Sequence, residues 1–199
     1  ATGVLVTDDP ERALDGAEVA IDFTRPAASV AHAEACARRG CPIAIGTTGH
    51  DSAARMALEA AARTVPVVLA PNMSLGVTLL MLLAELAARG LPPQYDAEIF
   101  EAHHRDKVDA PSGTALALGA AVARARGTRL DDAAVYVRAG EAGPRPDGAI
   151  GFSVLRAGDI VGEHCLVFAG PGERLELKHV AHDRSGFARG ALAAARWLA

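Results

Sequence analysis

Short apolar runs alternate with amphipathic stretches over the first third of the chain. The apolar runs cover residues 19–23, 42–45 and 65–69, and helical patterns follow the first two at residues 27–39 and 51–63. Continuous apolar strands separated by helices are typical of βαβ units, in which both faces of a parallel sheet are buried. We therefore predict a parallel α/β sheet that binds ligands at the carboxyl ends of its strands.

The pattern changes after Ser74. The elements predicted beyond it are three helices and four strands: residues 75–89, 112–126 and 185–198, and residues 97–102, 150–156, 160–168 and 174–179. Glycine-containing connectors at residues 157–159 and 170–172 predict two antiparallel hairpins among the last three strands. We therefore predict an α/β domain at residues 1–74, with the C-terminal helix 185–199 packing back on it, and an α+β domain with a mixed sheet at residues 75–184.

Composition excludes several classes of protein. Half of the 199 residues are hydrophobic, which allows a buried core, and the net charge of −4 argues against a general nucleic-acid-binding protein. No apolar run approaches the roughly 18 residues of a membrane span. Cys36, Cys41 and Cys165 show no paired spacing, so we expect reduced thiols in a cytoplasmic protein.

The densest cluster of polar residues is the segment 101–114, with the sequence EAHHRDKVDAPSGT, between a predicted strand and a helix. Backbone N–H groups of Gly113 and Thr114 at the helix N-terminus favour an anion. The hydroxyl of Ser112 either adds a donor or caps the helix. Two histidines in the segment can transfer protons near neutral pH. The cluster therefore indicates a carboxylate-bearing substrate, although a solvated loop before a capped helix explains each residue taken singly.

A metal site is a second interpretation of the histidines. His103 and His104 are adjacent, and on a strand they point to opposite faces, which is poor geometry for one ion. His179, His182 and Asp183 have a spacing that suits a metal on a helix, but no other residue completes the ligand set. We therefore expect no metal.

Two further loops lie at predicted strand ends. They are residues 46–49, GTTG, and residues 70–74, APNMS. Small residues let the backbone approach a flat ring, while threonine and asparagine offer polar contacts. A glycine-rich G-x-G-x-x-G phosphate loop is absent from the sequence.

Together these motifs resemble those of the dihydrodipicolinate reductases, also called 4-hydroxy-tetrahydrodipicolinate reductases. The resemblance rests on residues 101–115, 21–26 (IDFTRP), 45–49 (IGTTG) and 156–164 (RAGDIVGEH), which occur in the family's order. It implies an incomplete Rossmann-like nucleotide domain and a substrate domain whose mixed sheet assembles a homotetramer. It also implies reduction of a cyclic dicarboxylate to tetrahydrodipicolinate by NADH or NADPH, in the diaminopimelate route to lysine.

The resemblance also implies individual roles. His103 is similar to the family's proton donor, and Lys107 to its second catalytic residue. The implied substrate contacts are His104, Ser112, Gly113 and Thr114. The implied cofactor contacts are Gly46, Thr47, Thr48, Ala70, Pro71, Asn72 and Met73, with Arg25 in a motif near the cofactor. Met73 stands where the family has an aromatic residue.

The family begins with a strand and a glycine-rich turn that hold the cofactor pyrophosphate, and no such turn precedes the first predicted helix here. We expect those residues to precede Ala1 in the intact enzyme. Two alternatives stay open: a non-catalytic remnant that binds a ligand or oligomerises, and a different nicotinamide dehydrogenase acting on an amino or keto acid. Titration with NADH and a pyridine dicarboxylate, followed by a reduction assay, separates them. The preference between NAD and NADP also stays open.

Overall fold

The computed structural model describes residue 4 and residues 6–199. The chain forms two compact units, one containing the chain up to Ser74 together with Phe187–Ala199, and the other Leu75–Gly186. None of the described helices is long and apolar enough to cross a membrane.

The helices are α1 (Pro10–Ala13), α2 (Pro26–Arg39), α3 (Ser52–Ala62), α4 (Leu75–Gly90), α5 (Gly113–Ala125), α6 (Leu130–Ala133) and α7 (Ser185–Leu198). The strands are β1 (Ala20–Asp22), β2 (Ile43–Ile45), β3 (Val67–Leu69), β4 (Asp96–His103), β5 (Ala134–Val135), β6 (Ile150–Arg156), β7 (Gly162–Gly170) and β8 (Glu173–Ala181).

The first unit is built on a parallel sheet of order β1-β2-β3, which confirms the predicted α/β pattern. All three residues of the central strand β2 are fully buried, and this explains why its sequence is continuously apolar. Asp22 is aligned with Ile45, and Ile45 with Leu69. The three strands therefore end at one edge, and the loops that follow them lie side by side there.

The ends of the helices in this unit follow local sequence signals. Gly40 ends α2 with a φ of 68°, a left-handed conformation that glycine adopts without strain. The side chain of Asp51 accepts the backbone N–H of Ala54 at the start of α3, as an N-cap residue does. In α7, Ala191 and Leu198 are buried against Ala44 and Met73.

The second unit contains a five-stranded mixed sheet of order β5-β6-β4-β7-β8. β4 is parallel to β6 and antiparallel to β7, and β7 forms an antiparallel hairpin with β8. The hairpin predicted around residues 170–172 is therefore confirmed. The hairpin predicted around residues 157–159 is wrong, because β4 lies between β6 and β7.

The connector at residues 157–159 instead crosses the carboxyl end of β4. The backbone N–H of Ala157 donates to the carbonyl of His103 at 3.0 Å, and that of Arg105 donates to the carbonyl of Gly158 at 3.1 Å. Because β4 lies in the middle of the sheet, Ala97 and Ile99 are almost completely inaccessible. Through these two hydrogen bonds the connector holds both the last residue of β4 and the start of the loop that carries the polar cluster.

The two faces of the mixed sheet differ. Helices α4 and α5 pack on one face, where Leu80 and Leu118 meet Ile99 and Phe168. Strand register places Glu101, His103, Arg156 and His164 on this same face, at the carboxyl end of β4. The opposite face presents Phe100 and Leu155, which are 38% and 41% exposed.

Candidate active site

Glu101 is the centre of a buried polar cluster in the second unit. Its side chain is 0% exposed. Both carboxylate oxygens accept hydrogen bonds from Arg156, at 2.7 and 2.9 Å, and one also accepts the backbone N–H of Ser112 at 2.9 Å. Burial alone would raise the pKa of Glu101, but the hydrogen bonds from Arg156, His103 and Ser112 outweigh it and lower the pKa. Glu101 is therefore ionised at neutral pH.

His103 lies at the last position of β4, where its ring is held from one side. Its Nδ1 is 2.5 Å from the carboxylate of Glu101. Gly162 lies beside Nε2 of His103, where a Cβ atom would be only 3.1 Å from that nitrogen. The absence of a side chain at Gly162 therefore leaves room for the Nε2 side of the ring. Burial lowers the pKa of His103 below its ordinary value, and the carboxylate of Glu101 offsets part of this effect. The ring is mostly covered but is suited to exchange a proton through Nε2.

Ser112 connects the start of α5 to β7. Its hydroxyl accepts the backbone N–H of Ala115 at 3.2 Å and lies 3.0 Å from Nε2 of His164. Both Ser112 and His164 are buried. Burial lowers the pKa of His164 to about 4, so this imidazole is neutral at physiological pH. The hydroxyl of Ser112, predicted to contact substrate, is thus engaged inside the protein.

The other residues predicted for the substrate site lie around the same cluster. Lys107 donates to Asp109 at 2.6 Å, and its backbone N–H donates to the carbonyl of His104 at 3.2 Å. His104 is half-buried directly after β4. Gly113 and Thr114 form the first turn of α5, whose N-terminal N–H groups favour an anion. The fold therefore places the predicted substrate residues at one end of β4.

The residues predicted to contact the cofactor lie at the carboxyl edge of the parallel sheet in the first unit. This edge is organised by the buried carboxylate of Asp22, which accepts the hydroxyls of Thr24 and Thr47, each at 2.7 Å, and that of Ser29. Nδ1 of His32 lies 2.8 Å from the same carboxylate. Burial alone would raise the pKa of Asp22, but these hydrogen bonds lower it. Asp22 thus links the loop after β1, the loop after β2 and helix α2.

The threonines of the loop after β2 differ in their surroundings. Thr47 is buried, donates to Asp22 and accepts the backbone N–H of Thr24 at 2.8 Å. Thr48 is exposed at the edge. Gly46 lies against the ring of Phe23, because a Cβ atom there would be 2.2 Å from the ring. The hydroxyl of Thr47 therefore holds the loops together, whereas Thr48 faces solvent.

The loop after β3 is held by its own backbone and by α7. Ala70 donates to the carbonyl of Ile45 at 3.0 Å, and Pro71 beside it is exposed. The side-chain oxygen of Asn72 accepts the backbone N–H of Ser74 at 2.9 Å. The side chain of Met73 is buried in the core of this unit.

Arg25 lies at the start of α2, where it occupies the N-cap position without a side-chain capping bond. Its side chain is exposed. Small residues and the exposed side chains of Arg25, Thr48 and Pro71 therefore lie along this edge. The loop composition predicts close approach of a flat ring to such an edge, and the family resemblance implies that this ring is a nicotinamide.

Asp22, Glu101, Arg156 and His164 organise these clusters but were not predicted as functional. Each lies inside a quoted motif, and a charged residue within or next to an apolar run is the signal that could have identified Asp22 and Glu101. Among residue 4 and residues 6–199, no group of three His, Cys, Asp or Glu side chains is arranged to hold a metal ion.

Comparison with known proteins identifies the family of the chain. Residues 1–73 match the family model "Dihydrodipicolinate reductase, N-terminus", and residues 76–199 match "Dihydrodipicolinate reductase, C-terminus". The 4-hydroxy-tetrahydrodipicolinate reductase of Thiobacillus denitrificans is 60% identical over 198 residues, which cover 100% of this chain and 74% of that protein. That of Nitrosospira multiformis is 52% identical, over 99% of this chain and 73% of that protein.

A solved structure shows the same fold. The dihydrodipicolinate reductase from Paenisporosarcina sp. TG-14, with dipicolinate bound, superposes with a TM-score of 0.78 and 27% sequence identity. The match covers 96% of this chain and 73% of that one. With both family models matched and close relatives along its whole length, the chain belongs to the dihydrodipicolinate reductase family.

Proposed function

We propose that this chain reduces 4-hydroxy-tetrahydrodipicolinate, or the dihydrodipicolinate formed from it, to tetrahydrodipicolinate in lysine biosynthesis. The electron donor is NADH or NADPH. The observation that carries this proposal is the position of His103, held by Glu101 beside the N-terminal turn of α5. An imidazole next to a helix N-terminus combines a proton donor with a carboxylate-binding site.

The substrate side of the reaction uses the end of β4 and the start of α5. The backbone N–H groups of Gly113 and Thr114 bind one carboxylate group of the cyclic substrate. His104 contributes a further polar contact. The relative from Paenisporosarcina binds dipicolinate, which is a planar dicarboxylate of this kind. Nε2 of His103 then donates a proton to the ring carbon that becomes basic when a hydride adds to the conjugated imine.

Lys107 assists from the loop after β4. Its ammonium group pairs with Asp109, so it brings a positive charge next to the dicarboxylate without being fully exposed. We assign it to stabilising the negative charge of the substrate. Ser112 contributes by holding the first turn of α5 in place, because its hydroxyl is already bonded to Ala115 and His164.

The cofactor edge of the parallel sheet holds the nicotinamide half of NADH or NADPH. When bound there, the cofactor supplies the hydride. Gly46, Thr48, Ala70 and Pro71 offer backbone and hydroxyl contacts to the ring, with Asn72 and Met73 following on the same loop. Thr47 holds the loops after β1 and β2 together through Asp22, and Arg25, at the N-cap position of α2 directly after the loop that follows β1, contributes a positive charge.

We assign the protein to the cytoplasm and to a homotetramer. The face of the mixed sheet that carries Phe100 and Leu155 presents apolar side chains to solvent, and such a face is suited to pack against other copies of the chain. Sedimentation or light scattering of the intact protein tests the assembly. A monomer at micromolar concentration would contradict it.

The activity is tested by following NADH and NADPH oxidation in the presence of enzymatically generated substrate. We expect His103→Gln to lower kcat by roughly 10²–10⁴-fold with little change in cofactor affinity, because it removes the proton donor. His182→Gln, an exposed histidine after β8, is the matched control and is expected to keep wild-type turnover. Absence of reduction by the wild-type protein with either cofactor would overturn the proposed function.

A further inference from the structure

The carboxylate of Glu101 is the point at which three separate segments meet. It accepts from His103 on its own strand, from Arg156 on β6 and from the backbone N–H of Ser112 before α5. Its side chain is completely buried, so a substrate bound at the protein surface does not reach it. Burying a charge costs free energy unless hydrogen-bonding partners compensate it. Here Arg156, His103 and the backbone N–H of Ser112 all donate to the one carboxylate.

We propose that Glu101 is a positioning residue that sets the tautomer of His103 and favours its protonated form, while Arg156 fixes the carboxylate. This inference rests on the proposed function, in which His103 donates a proton. Glu101 acts through His103 and does not itself touch the substrate.

The tautomer follows from hydrogen-bond chemistry. An ionised carboxylate can only accept, so Nδ1 of His103, 2.5 Å from Glu101, must carry a hydrogen. The nitrogen that gains and loses the catalytic proton is therefore Nε2. That nitrogen lies on the side where Gly162 leaves space. A carboxylate that orients an imidazole through its second nitrogen is a recurrent arrangement at catalytic sites.

Arg156 is occupied by this structural task. Besides its two bonds to Glu101, it donates to the carbonyl oxygens of Asp109 at 2.6 Å and Leu155 at 2.8 Å. A bidentate guanidinium pair fixes both the direction and the charge of a carboxylate. Arg156 therefore holds Glu101 in the orientation that His103 requires.

The charges around His103 show why the carboxylate matters. Burial lowers the pKa of His103, and the positive charges of Lys107 and Arg156 lower it further. The ring of His164 packs edge-on at 5.1 Å and is neutral. The negative charge of Glu101 opposes all of these. Without it, His103 would lose its proton at a lower pH.

The first test is a pH profile of kcat for Glu101→Gln. Because a proton donor must be protonated, kcat falls as pH rises through the pKa of His103. We expect Glu101→Gln to move this alkaline limb to lower pH by roughly one to two units and to recover much of kcat in acid, with KM for the cofactor unchanged. A purely structural role would lower kcat by the same factor at every pH, and that result overturns the inference.

Glu98→Gln is the matched control for this variant. Glu98 lies on the same strand and is also paired with arginines, namely Arg138 and Arg145, but faces the opposite side of the sheet. We expect its pH profile to coincide with that of the wild type. A shift equal to that of Glu101→Gln would overturn the inference, because charge removal anywhere on β4 would then suffice.

The second test uses the wild-type protein and needs neither a folded variant nor turnover. Nitrogen-15 NMR of the imidazoles above their pKa reports the tautomer, and His103 is assigned by comparison with His103→Gln. We expect hydrogen on Nδ1, and hydrogen on Nε2 would overturn the inference. A protein that shows this tautomer but lacks reductase activity would overturn only the proposed function, so the two failures are distinguishable.

Discussion

Nε2 of His164 on β7 lies 3.0 Å from the hydroxyl of Ser112, and that hydroxyl also caps α5. One buried contact thus ties the mixed sheet to the helix whose N-terminus faces the proposed substrate. Both side chains are almost fully buried, and the imidazole is neutral because burial lowers its pKa to about 4. The position of the α5 N-terminus therefore depends on the N-cap hydroxyl of Ser112 and on His164 staying neutral.

The neutral state of His164 predicts a loss of stability in acid. The pKa of this group is about 4 in the folded protein and 6.5 as its ordinary value, so the unfolded chain binds a proton that the folded protein excludes. The contribution of neutral His164 to the free energy of unfolding is fully present above pH 6.5. It decreases by on the order of 3 kcal/mol as the pH falls from 6.5 to 4.

Urea unfolding of the wild type and of His164→Gln at pH 7.5 and pH 5 measures this contribution. The variant is expected to be less stable than the wild type at pH 7.5 and to show a smaller decrease between the two pH values. Equal decreases in the two proteins would show that His164 is not the titrating group.

Ser112→Ala is predicted to weaken both the helix start and dicarboxylate binding. It removes the cap on Ala115 and the partner of His164, at a cost of about 1–2 kcal/mol. Asp51→Ala removes the equivalent cap of α3 and serves as control. Both variants should lose stability in denaturant, but only Ser112→Ala should raise KM for the dicarboxylate. An unchanged KM in Ser112→Ala would contradict the positioning of α5 by this hydroxyl.

Asp22→Asn is predicted to loosen the cofactor edge. The new amide donor would face the hydroxyls of Ser29 and Thr47, which donate to the present carboxylate, and we expect a cost of about 1–3 kcal/mol. Dinucleotide affinity, measured by calorimetry, should fall with it. Asp15→Asn, which disrupts only an exposed pair with Arg39, should change stability by less than about 1 kcal/mol and leave affinity intact.

Gly190→Ala is predicted to displace α7 from the loop after β3. A Cβ atom at position 190 would lie 1.6 Å from the carbonyl oxygen of Met73. Because this oxygen belongs to the backbone, it cannot move aside as a flexible side chain could. We expect a loss of about 1–3 kcal/mol, seen as a lower Tm, and weaker dinucleotide binding. Gly186→Ala lies on the same helix with no atom within 4 Å, and its Tm should stay near the wild-type value. Equal Tm values for the two variants would refute the close contact at Met73.

Several features of the fold could be predicted from the sequence because they depend on neighbours along the chain. Gly40 ends α2 since few other residues adopt a φ of 68° without strain, and Asp51 caps α3 through an N–H three residues away. The apolar run at β2 is buried on both faces. The histidine-rich segment before α5 could likewise be recognised, because strand, loop and helix start are contiguous there.

The sequence by itself thus determined the longer helices and strands, the parallel sheet of the first unit and the polar segment that contains His103, but not the short elements α1, α6 and β5. Tertiary structure alone decided that β4 separates β6 from β7, and that Arg156, 55 positions after Glu101, is its bonding partner. The physical reason is strand register: a shift of one residue would turn Arg156 or His164 to the opposite face. Register is set by the packing of the whole sheet against α4 and α5, which no local pattern records.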